Sequence, residues 1–142
     1  MRKFISLVLI ILITLSQTCF GADVDIIGTK YMHTSSDGKT MRDITSLGLE
    51  DGFITCLTTI KNVTAVPKSL MVVFAMYDIG NGAPKLIKLN FVSKIIAADS
   101  EDTLGTAMHV TDSQNKKIKA MIFQDFNTII PHTGNEEFKK FD

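Results

Sequence analysis

The sequence predicts an all-β fold, an antiparallel β-sandwich that forms a single domain behind a short N-terminal leader. Strand-like segments of about ten residues recur along the chain, and turn-forming residues separate them, as in antiparallel sandwiches. No helical hydrophobic period continues for more than a turn or two. The length of 142 residues, with 45% apolar and 21% charged residues, suits one globular domain with one core.

The leader is predicted at residues 1–21. Arg2 and Lys3 form a short positive segment, and residues 4–15 form a largely apolar run. This arrangement is typical of a secretory signal peptide. The run is shorter than the about 20 apolar residues that span a bilayer, so we expect no membrane span once the leader is removed.

Cleavage is predicted before Ala22, because the small residues Cys19 and Gly21 stand three positions and one position before the cut. The mature protein, residues 22–142, would then be secreted or extracytoplasmic. The alternative is a lipoprotein that carries its lipid on Cys19. The bulky polar Gln17 fits that signal poorly, so we favour simple cleavage.

Removal of the leader changes the charge balance. Without Arg2 and Lys3, 13 basic residues face 15 acidic ones, and the net charge becomes −2. The lysines are scattered along the sequence, so we expect no basic patch and no nucleic-acid partner. Cys56 is the one cysteine of residues 22–142, so no internal disulfide is expected and stability depends on the hydrophobic core.

The mature chain divides into strand-like segments bounded by turns. In the first of them, Val24, Ile26 and Tyr31 are predicted to point inward. The second is either a short edge strand or irregular chain. The predicted segments are 23–33, 40–49, 53–63, 69–78, 85–96, 103–111 and 117–123.

Segment 53–63 alternates strictly, with threonines that favour a pleated surface. Ile54, Cys56, Thr58 and Ile60 share its more apolar face. We therefore expect Cys56 to be a buried structural thiol, because free cysteine is among the most buried residue types. A reactive nucleophile would need a nearby histidine or helix terminus, and no residue of the sequence identifies either.

Segment 69–78 has apolar residues at both even and odd positions, which predicts a strand covered on both faces. Segment 85–96 carries Lys88, Asn90 and Lys94, which suits a solvated face near a sheet edge. The last segment continues to a proline over residues 117–131. We interpret it as the central strand around which the sandwich is built. Its residues predicted to lie between the two sheets are Ile118, Ala120 and Ile122.

The groups that catalysis and metal binding need are sparse. His33, His109 and His132 have no metal-ligand spacing, and the nucleophile, phosphate-binding and dinucleotide-binding motifs are absent. We therefore predict no catalytic residue and no cofactor. The weak exception is a turn with Asp99, Glu101 and Asp102, whose carboxylates could hold calcium, although a solvated charged turn is the default.

Two stretches resemble one family. The run KSLMVVFAMYD at Lys68–Asp78, followed by a glycine turn, resembles a strand and turn of bacterial immunoglobulin-like or fibronectin type III-like domains. Residues 118–123 and 127–131 resemble the closing stretch of the same domains. The resemblance covers about residues 50–134. It departs from the family at Phe123-Gln124, where a Trp-Asp pair is usual, and at His132, where leucine is usual.

The resemblance implies an antiparallel immunoglobulin-like sandwich over residues 22–142. It also implies an accessory role, since these domains are commonly non-catalytic modules of Gram-positive surface and secreted proteins. We therefore expect an exported, non-enzymatic binding or structural module at the cell surface or in the secreted fraction. Its partner would be a protein or another component of the cell envelope.

Two alternatives remain open. A carbohydrate-associated module would need an exposed aromatic platform, yet the chain has no tryptophan, so a protein contact is preferred. A small secreted enzyme or inhibitor could use scattered groups such as Asp125, His132 and Cys56. Fold alone does not decide between them.

Overall fold

The computed structural model describes residues 23–123 and 136–139, which form two packed antiparallel sheets. The first sheet has the strand order β2-β1-β3-β6, and the second has the order β5-β4-β7-β8. The all-β prediction with two antiparallel layers is confirmed. The strands are β1 (Val24–Thr34), β2 (Met41–Asp43), β3 (Gly52–Asn62), β4 (Lys68–Asp78), β5 (Lys85–Ile96), β6 (Ser100–Val110), β7 (Lys116–Phe123) and β8 (Glu136–Lys139).

The predicted leader at residues 1–21 and the exit from β7 at residues 124–131 lie outside the described residues, as do Asp125 and His132. A short 3-10 turn, Ser113–Asn115, connects β6 to β7. Nowhere in the described part of the chain is there a helix with the length and apolarity that a bilayer crossing needs.

The core lies between the sheets and follows the alternation of the strands. On β3, Ile54, Cys56 and Ile60 are completely buried, and they face the core as predicted. On β7, Ile118, Ala120 and Ile122 are at most 4% exposed, so their placement between the sheets is confirmed. Each large aliphatic side chain removed from water in this way contributes about 1.5–3 kcal/mol.

Strand β4 is buried on both faces, as its continuous apolar run predicts. It lies between β5 and β7 in the second sheet. Four of its residues belong to the core cluster, namely Leu70, Val72, Phe74 and Met76, whereas Met71, Val73 and Ala75 point to the other side of the sheet. These three residues are nevertheless 5%, 6% and 0% exposed. We call this second side, away from the core, the outer face.

A β-bulge in β1 explains how residues of different parity reach the core. Strict alternation would place Val24 and Ile26 on the face opposite Tyr31. The register with β3 shifts between Ile26 and Gly28, and the shift turns the following residues over. Val24 and Tyr31 are therefore both buried, at 1% and 3% exposure, and Ile26 packs against the core.

Two boundaries differ from the sequence prediction. Within segment 40–49 only three residues pair with β1, and the following turn anchors itself by burying Ile44 and Leu49. Strand β6 begins at Ser100, inside the predicted polar turn, because Ser100 pairs with Asn62 at the end of β3. The polar residues there are strand residues at a sheet edge, where one side of the backbone faces water.

The two sheets are joined at both sides of the sandwich. On one side, the rings of Tyr31 on β1 and Phe138 on β8 stack at 3.9 Å between centroids with an interplanar angle of 7°. On the other side, the Asn90 side-chain amide on β5 donates to the Ala107 carbonyl oxygen on β6 at 3.0 Å. These contacts close the core at the two sides of the sandwich.

Asn62 ties together two connections that cross between the sheets. Its completely buried side-chain nitrogen donates to the carbonyl oxygens of Val66, Ile96 and Ala97 at 2.8, 3.2 and 3.0 Å. Its side-chain oxygen accepts from the backbone N–H and the hydroxyl of Thr64. One amide thus satisfies polar groups of both the β3–β4 and the β5–β6 connection.

Candidate functional site

Charge is divided unequally between the two sheets. The strands of the first sheet carry three basic and four acidic residues, whereas those of the second carry eight basic and three acidic residues. We call the second sheet the lysine-rich sheet. Its lysines come from four strands that are separate in sequence, and antiparallel pairing places these strands in one sheet. They are Lys68, Lys85, Lys88, Lys94, Lys116, Lys117, Lys119 and Lys139. Lys88 and Lys94 are paired with core-facing residues of β4, whereas Lys117 and Lys119 are paired with residues on the other side of the sheet.

Carboxylates hold Lys68, Lys94 and Lys116 in place. Lys116 is the least exposed of them, and its ammonium lies 3.0 Å from an oxygen of Asp78 and 3.6 Å from one of Asp112. The bond to Asp78 raises the pKa of Lys116. Lys68 and Lys94 pair with acidic residues outside the lysine-rich sheet, Asp23 and Asp102, at 2.8 and 2.5 Å.

Two lysines of β5 have no such partner. Within the described part of the chain, Lys85 and Lys88 have no carboxylate oxygen within 4.0 Å. Both residues are exposed. Positive charge at this edge of the sheet is therefore available to an anion in solution.

Strand β5 also exposes most of its large apolar side chains. The exposed fractions run from 44% to 69%, which is unusual for five residues of one strand, and the residues are Leu86, Ile87, Leu89, Phe91 and Ile95. Isolated exposed apolar residues are ordinary, but a contiguous group of them indicates a contact surface.

The register aligns apolar and basic residues across the outer face. Leu86 lies opposite Tyr77 of β4, and Leu89 lies opposite Ala75. On the other side of β4, Tyr77 and Ala75 lie opposite two lysines of β7. Rows therefore run from an apolar β5 residue over β4 to β7; they are Leu86–Tyr77–Lys117, Leu89–Ala75–Lys119 and Phe91–Val73–Met121.

The predicted calcium turn does not gather its carboxylates. Asp99 lies in the β5–β6 turn, and its side chain is 82% exposed. Glu101 and Asp102 are consecutive on β6, so they point to opposite faces of the sheet. Asp102 bonds to Lys94, which lowers the pKa of Asp102. Among the described residues, no group of three His, Cys, Asp or Glu side chains is placed to hold a metal ion.

Cys56 is a structural residue. Its side chain is buried in the core, and desolvation raises the pKa of its thiol to about 12. The thiol is therefore protonated at neutral pH, whereas a nucleophile has to be a thiolate. The predicted burial of Cys56 is confirmed, and the raised pKa of its thiol argues against its use as a nucleophile in an enzyme or inhibitor.

The two described histidines serve local contacts. A ring nitrogen of His33 lies 3.0 Å from the carbonyl oxygen of Asp51, and the ring of His109 lies 4.8 Å from the ring of Phe53. A depression of about 390 Å³ lies elsewhere, beside the β1 bulge, with Lys30 and Asp43 as its charged lining residues. We find no arrangement for acid–base or nucleophilic catalysis in either place.

The surface formed by β5 and the outer face was missed from the sequence. The lysines of the lysine-rich sheet are spread over 71 positions, from Lys68 to Lys139, so they show no cluster in the sequence. The usable signal was local: β5 combines three lysines, no acidic residue and repeated large apolar residues at a predicted edge. An edge strand with that composition is expected to expose both charged and apolar side chains.

Comparisons with known proteins bear on the fold. No protein-family model and no curated protein matches the chain. Among solved structures, the chain is similar to Pseudomonas fluorescens alkylpurine DNA glycosylase AlkC bound to DNA containing an abasic site analog. The TM-score is 0.50 and the identity is 18%, over 92% of this chain and 33% of the glycosylase chain. The chain therefore spans about one third of the length of that protein, and the likeness concerns the fold.

This finding contradicts three predictions from the sequence. They are a protein-contacting, non-catalytic module of the cell surface, a chain without an enzymatic role, and the absence of a nucleic-acid partner. The similar protein is an enzyme and is bound to DNA. The third prediction relied on the net charge and on the scatter of the lysines along the sequence, whereas a polyanion meets one surface of the folded protein at a time.

Proposed function

We propose that this β-sandwich contacts nucleic acid through its lysine-rich sheet. The observation that carries the proposal is the separation of charge, with eight basic and three acidic residues on one sheet and three and four on the other. Lysines that approach phosphates release condensed counterions, and this release supplies most of the affinity of non-specific binding.

The similar solved structure supports the same class of partner. In it, the protein with a comparable fold is bound to DNA containing an abasic site analog. The charge distribution is an independent observation, because it comes from this chain's own residues. Together they favour DNA over a neutral or basic partner.

We also infer that the sandwich has immunoglobulin-like connectivity. In such folds, strands A, B and E form one layer and strands C, F and G lie in the other. The order β1-β3-β6 facing β5-β4-β7-β8 fits this arrangement, with β5 as an additional strand beside C and β2 as a short addition to A.

We propose further that residues 1–21 direct export and are removed before Ala22, on the basis of the signal-peptide pattern alone. The nucleic acid would then be one met outside the cytoplasm. Expression with the leader intact, followed by fractionation and intact-mass measurement, tests this. A full-length cytoplasmic product would refute it, and so would a lipid mass on Cys19 in place of a free N-terminus at Ala22.

Fluorescence anisotropy with a labelled DNA duplex tests the nucleic-acid contact, with and without an abasic-site analogue, at about 50 and 200 mM salt. We expect binding that weakens as salt rises. The double variant Lys85→Gln/Lys88→Gln should bind more weakly to every sequence, and its slope of log K against log salt should fall by about 0.9 per lost phosphate contact.

The matched control is Lys30→Gln/Lys61→Gln, which removes the same charge from the first sheet. This control should leave affinity close to that of the wild type. If the wild type does not bind, or if the control weakens binding as much as the β5 variant, the proposed role of the lysine-rich sheet is wrong.

A further inference from the structure

The turn between β4 and β5 is fixed at its base and free at its tip. At the base, the Gly80 backbone N–H donates to the Asp78 carboxylate at 2.9 Å. At the tip, Asn81 and Gly82 are both exposed. Within the described part of the chain, neither the Asn81 side-chain amide nor the Gly82 backbone N–H forms a hydrogen bond. These two groups are therefore free to approach each other and to meet water.

Asparagine followed by glycine is suited to an intramolecular reaction. The backbone nitrogen of the second residue can attack the side-chain carbonyl carbon of the first and close a five-membered ring, without the entropy cost of bringing two molecules together. A side chain on the second residue hinders this attack, and glycine has none. A Cβ at Gly82 would have no atom within 4 Å, so the surroundings leave room for the ring to form.

The other described asparagines lack both features. The Asn62 amide is buried and bonded to three carbonyl oxygens. The Asn90 amide donates to a carbonyl oxygen of β6, and the Asn115 amide donates to a carboxylate in the β6–β7 connection. Each of the three is followed by a residue with a side chain. Among the described asparagines, Asn81 alone combines a free amide with a following glycine.

Two described aspartates also precede glycine, but hydrogen bonds hold their carboxylates. Asp37 accepts from the Ser35 hydroxyl and from the Lys39 backbone N–H, which lower the pKa of Asp37. Asp51 accepts from the Ser113 backbone N–H at 2.7 Å. An ionised carboxylate resists attack by a nucleophile, so ring closure at neutral pH is favoured at the uncharged amide in the β4–β5 turn.

We propose that Asn81 is a site of spontaneous deamidation. The Gly82 backbone nitrogen forms a bond to the side-chain carbonyl carbon of Asn81 and gives up its proton, and the side-chain nitrogen takes up a proton and leaves as ammonia. Water then opens the resulting succinimide at either carbonyl, which gives aspartate or isoaspartate. The reaction needs no reactant other than water.

The product changes the edge of the lysine-rich sheet. Aspartate and isoaspartate each add one negative charge to the turn that leads directly to Lys85, the first residue of β5. Isoaspartate also adds one carbon atom to the main chain of the turn. The positive charge presented by this edge strand therefore decreases as the protein ages.

The experiment incubates the purified protein at neutral and at mildly alkaline pH in water labelled with heavy oxygen, and then digests it in ordinary water. Mass spectrometry of the peptides locates the label that was incorporated before digestion, and ion-exchange chromatography measures the more acidic form of the protein. Asn81→Gln is the matched control, because the longer side chain would have to close a larger ring. Circular dichroism establishes that both proteins remain folded during the incubation.

We expect Asn81 to incorporate label at least about tenfold faster than Asn62, Asn90 or Asn115, which corresponds to an activation barrier lower by about 1.4 kcal/mol. Mildly alkaline pH should accelerate the conversion, because the attacking nitrogen has to lose a proton. The acidic form should accumulate in the wild type and should be largely lost in Asn81→Gln.

Two results would overturn the proposed deamidation. One is a folded protein in which Asn81 gains label no faster than the other three asparagines. The other is an acidic form that accumulates in Asn81→Gln as fast as in the wild type. Because deamidation needs no ligand, neither result bears on the nucleic-acid contact proposed above.

Discussion

At the scale of single residues, stability is concentrated in polar groups that each hold two segments together. Asn62 is the clearest case, because its one side chain makes five hydrogen bonds across two loops. Lys116 also holds two segments together, because it forms ion pairs with Asp78 at the end of β4 and with Asp112 in the β6–β7 connection. Both residues are buried, so the Asn62 amide and the Lys116 ammonium cannot form hydrogen bonds with water instead if a partner is lost.

Replacing Asn62 with alanine should lower the free energy of unfolding by at least about 2 kcal/mol. Three carbonyl oxygens lose the Asn62 amide, and those of Val66 and Ala97 keep only the hydroxyl groups of Thr64 and Ser100. An unsatisfied buried polar group costs about 1–3 kcal/mol. Urea denaturation measures the change. Asn81→Ala, in the exposed turn before β5, is the control and should stay within about 0.5 kcal/mol of the wild type. Equal effects of the two substitutions would contradict this role.

The Asp78 carboxylate should make stability depend on pH at the acidic end. Hydrogen bonds from the Gly80 backbone N–H and from Lys116 lower the pKa of Asp78 below its ordinary value of 3.8. The ionised group therefore stabilises the fold above pH 3.8, and this contribution is lost as the pH falls through the lower, folded-state pKa. Asp78→Asn retains an acceptor for Gly80 and removes only the charge.

The free energies of unfolding of the wild type and Asp78→Asn should therefore differ at pH 7. They should converge as the pH falls below the pKa of the Asp78 carboxyl group in the folded protein. The wild type should be the more stable protein at neutral pH. A difference that persists unchanged into strong acid would show that the charge of Asp78 is not what stabilises this corner of the fold.

At the scale of elements, close pairing of β3 and β6 requires a residue without a side chain. A Cβ at Gly105 would lie 2.6 Å from the carbonyl oxygen of Cys56 and would also meet the Leu57 side chain. Because Gly105 has no side chain, the Leu57 side chain can lie over Gly105, its pairing partner on β6. The backbone atom cannot move away without disturbing the ladder.

Gly105→Ala should therefore destabilise the protein by about 1–3 kcal/mol, the usual cost of inserting a methyl group into filled space. Gly28→Ala is the control, because a Cβ there has no atom within 4 Å. It should be neutral or slightly stabilising, as expected when alanine reduces the entropy of the unfolded chain. Thermal melting of both variants checks this. A Gly105→Ala protein with the same melting temperature as the wild type would contradict the packing argument.

How far the elements could be predicted depends on whether their signal is local. The burial of β4 on both faces and the alternation of β7 follow from residues that are one or two positions apart in the sequence. Both features were therefore predicted correctly. The bulge at Ile26 and Gly28 and the early start of β6 depend on which strand lies alongside. The lysine-rich sheet depends on pairing in the same way, since β4, β5 and β7 become one surface only after folding.

At the scale of the whole molecule, the sandwich separates a rigid centre from edges that face solvent. β3, β4 and β7 each have a neighbouring strand on both sides, whereas β5 and β6 each have one free side. The proposed contact surface therefore includes an edge, where backbone groups and exposed side chains are available to a ligand. The first sheet supplies much of the core without offering a comparable concentration of positive charge.

Hydrogen exchange followed by mass spectrometry should reproduce this division. Amides in β3, β4 and β7 should exchange most slowly, because opening them exposes the core, and β2 and β5 should exchange earlier. If nucleic acid binds the lysine-rich sheet as proposed, protection should increase in β5 and not in β2. Uniform exchange over all strands would contradict a stable centre with more mobile edges.

The burial of Asn62 has a practical consequence for producing the protein. Asn62-Val63-Thr64 matches the acceptor sequence for N-linked glycans. A eukaryotic secretory host that attached a sugar there before folding would block the amide from its three carbonyl partners and place a bulky hydrophilic chain in the path of the closing loops. Thr64→Ala, which removes the acceptor while retaining Asn62, should restore the yield of folded protein from such a host.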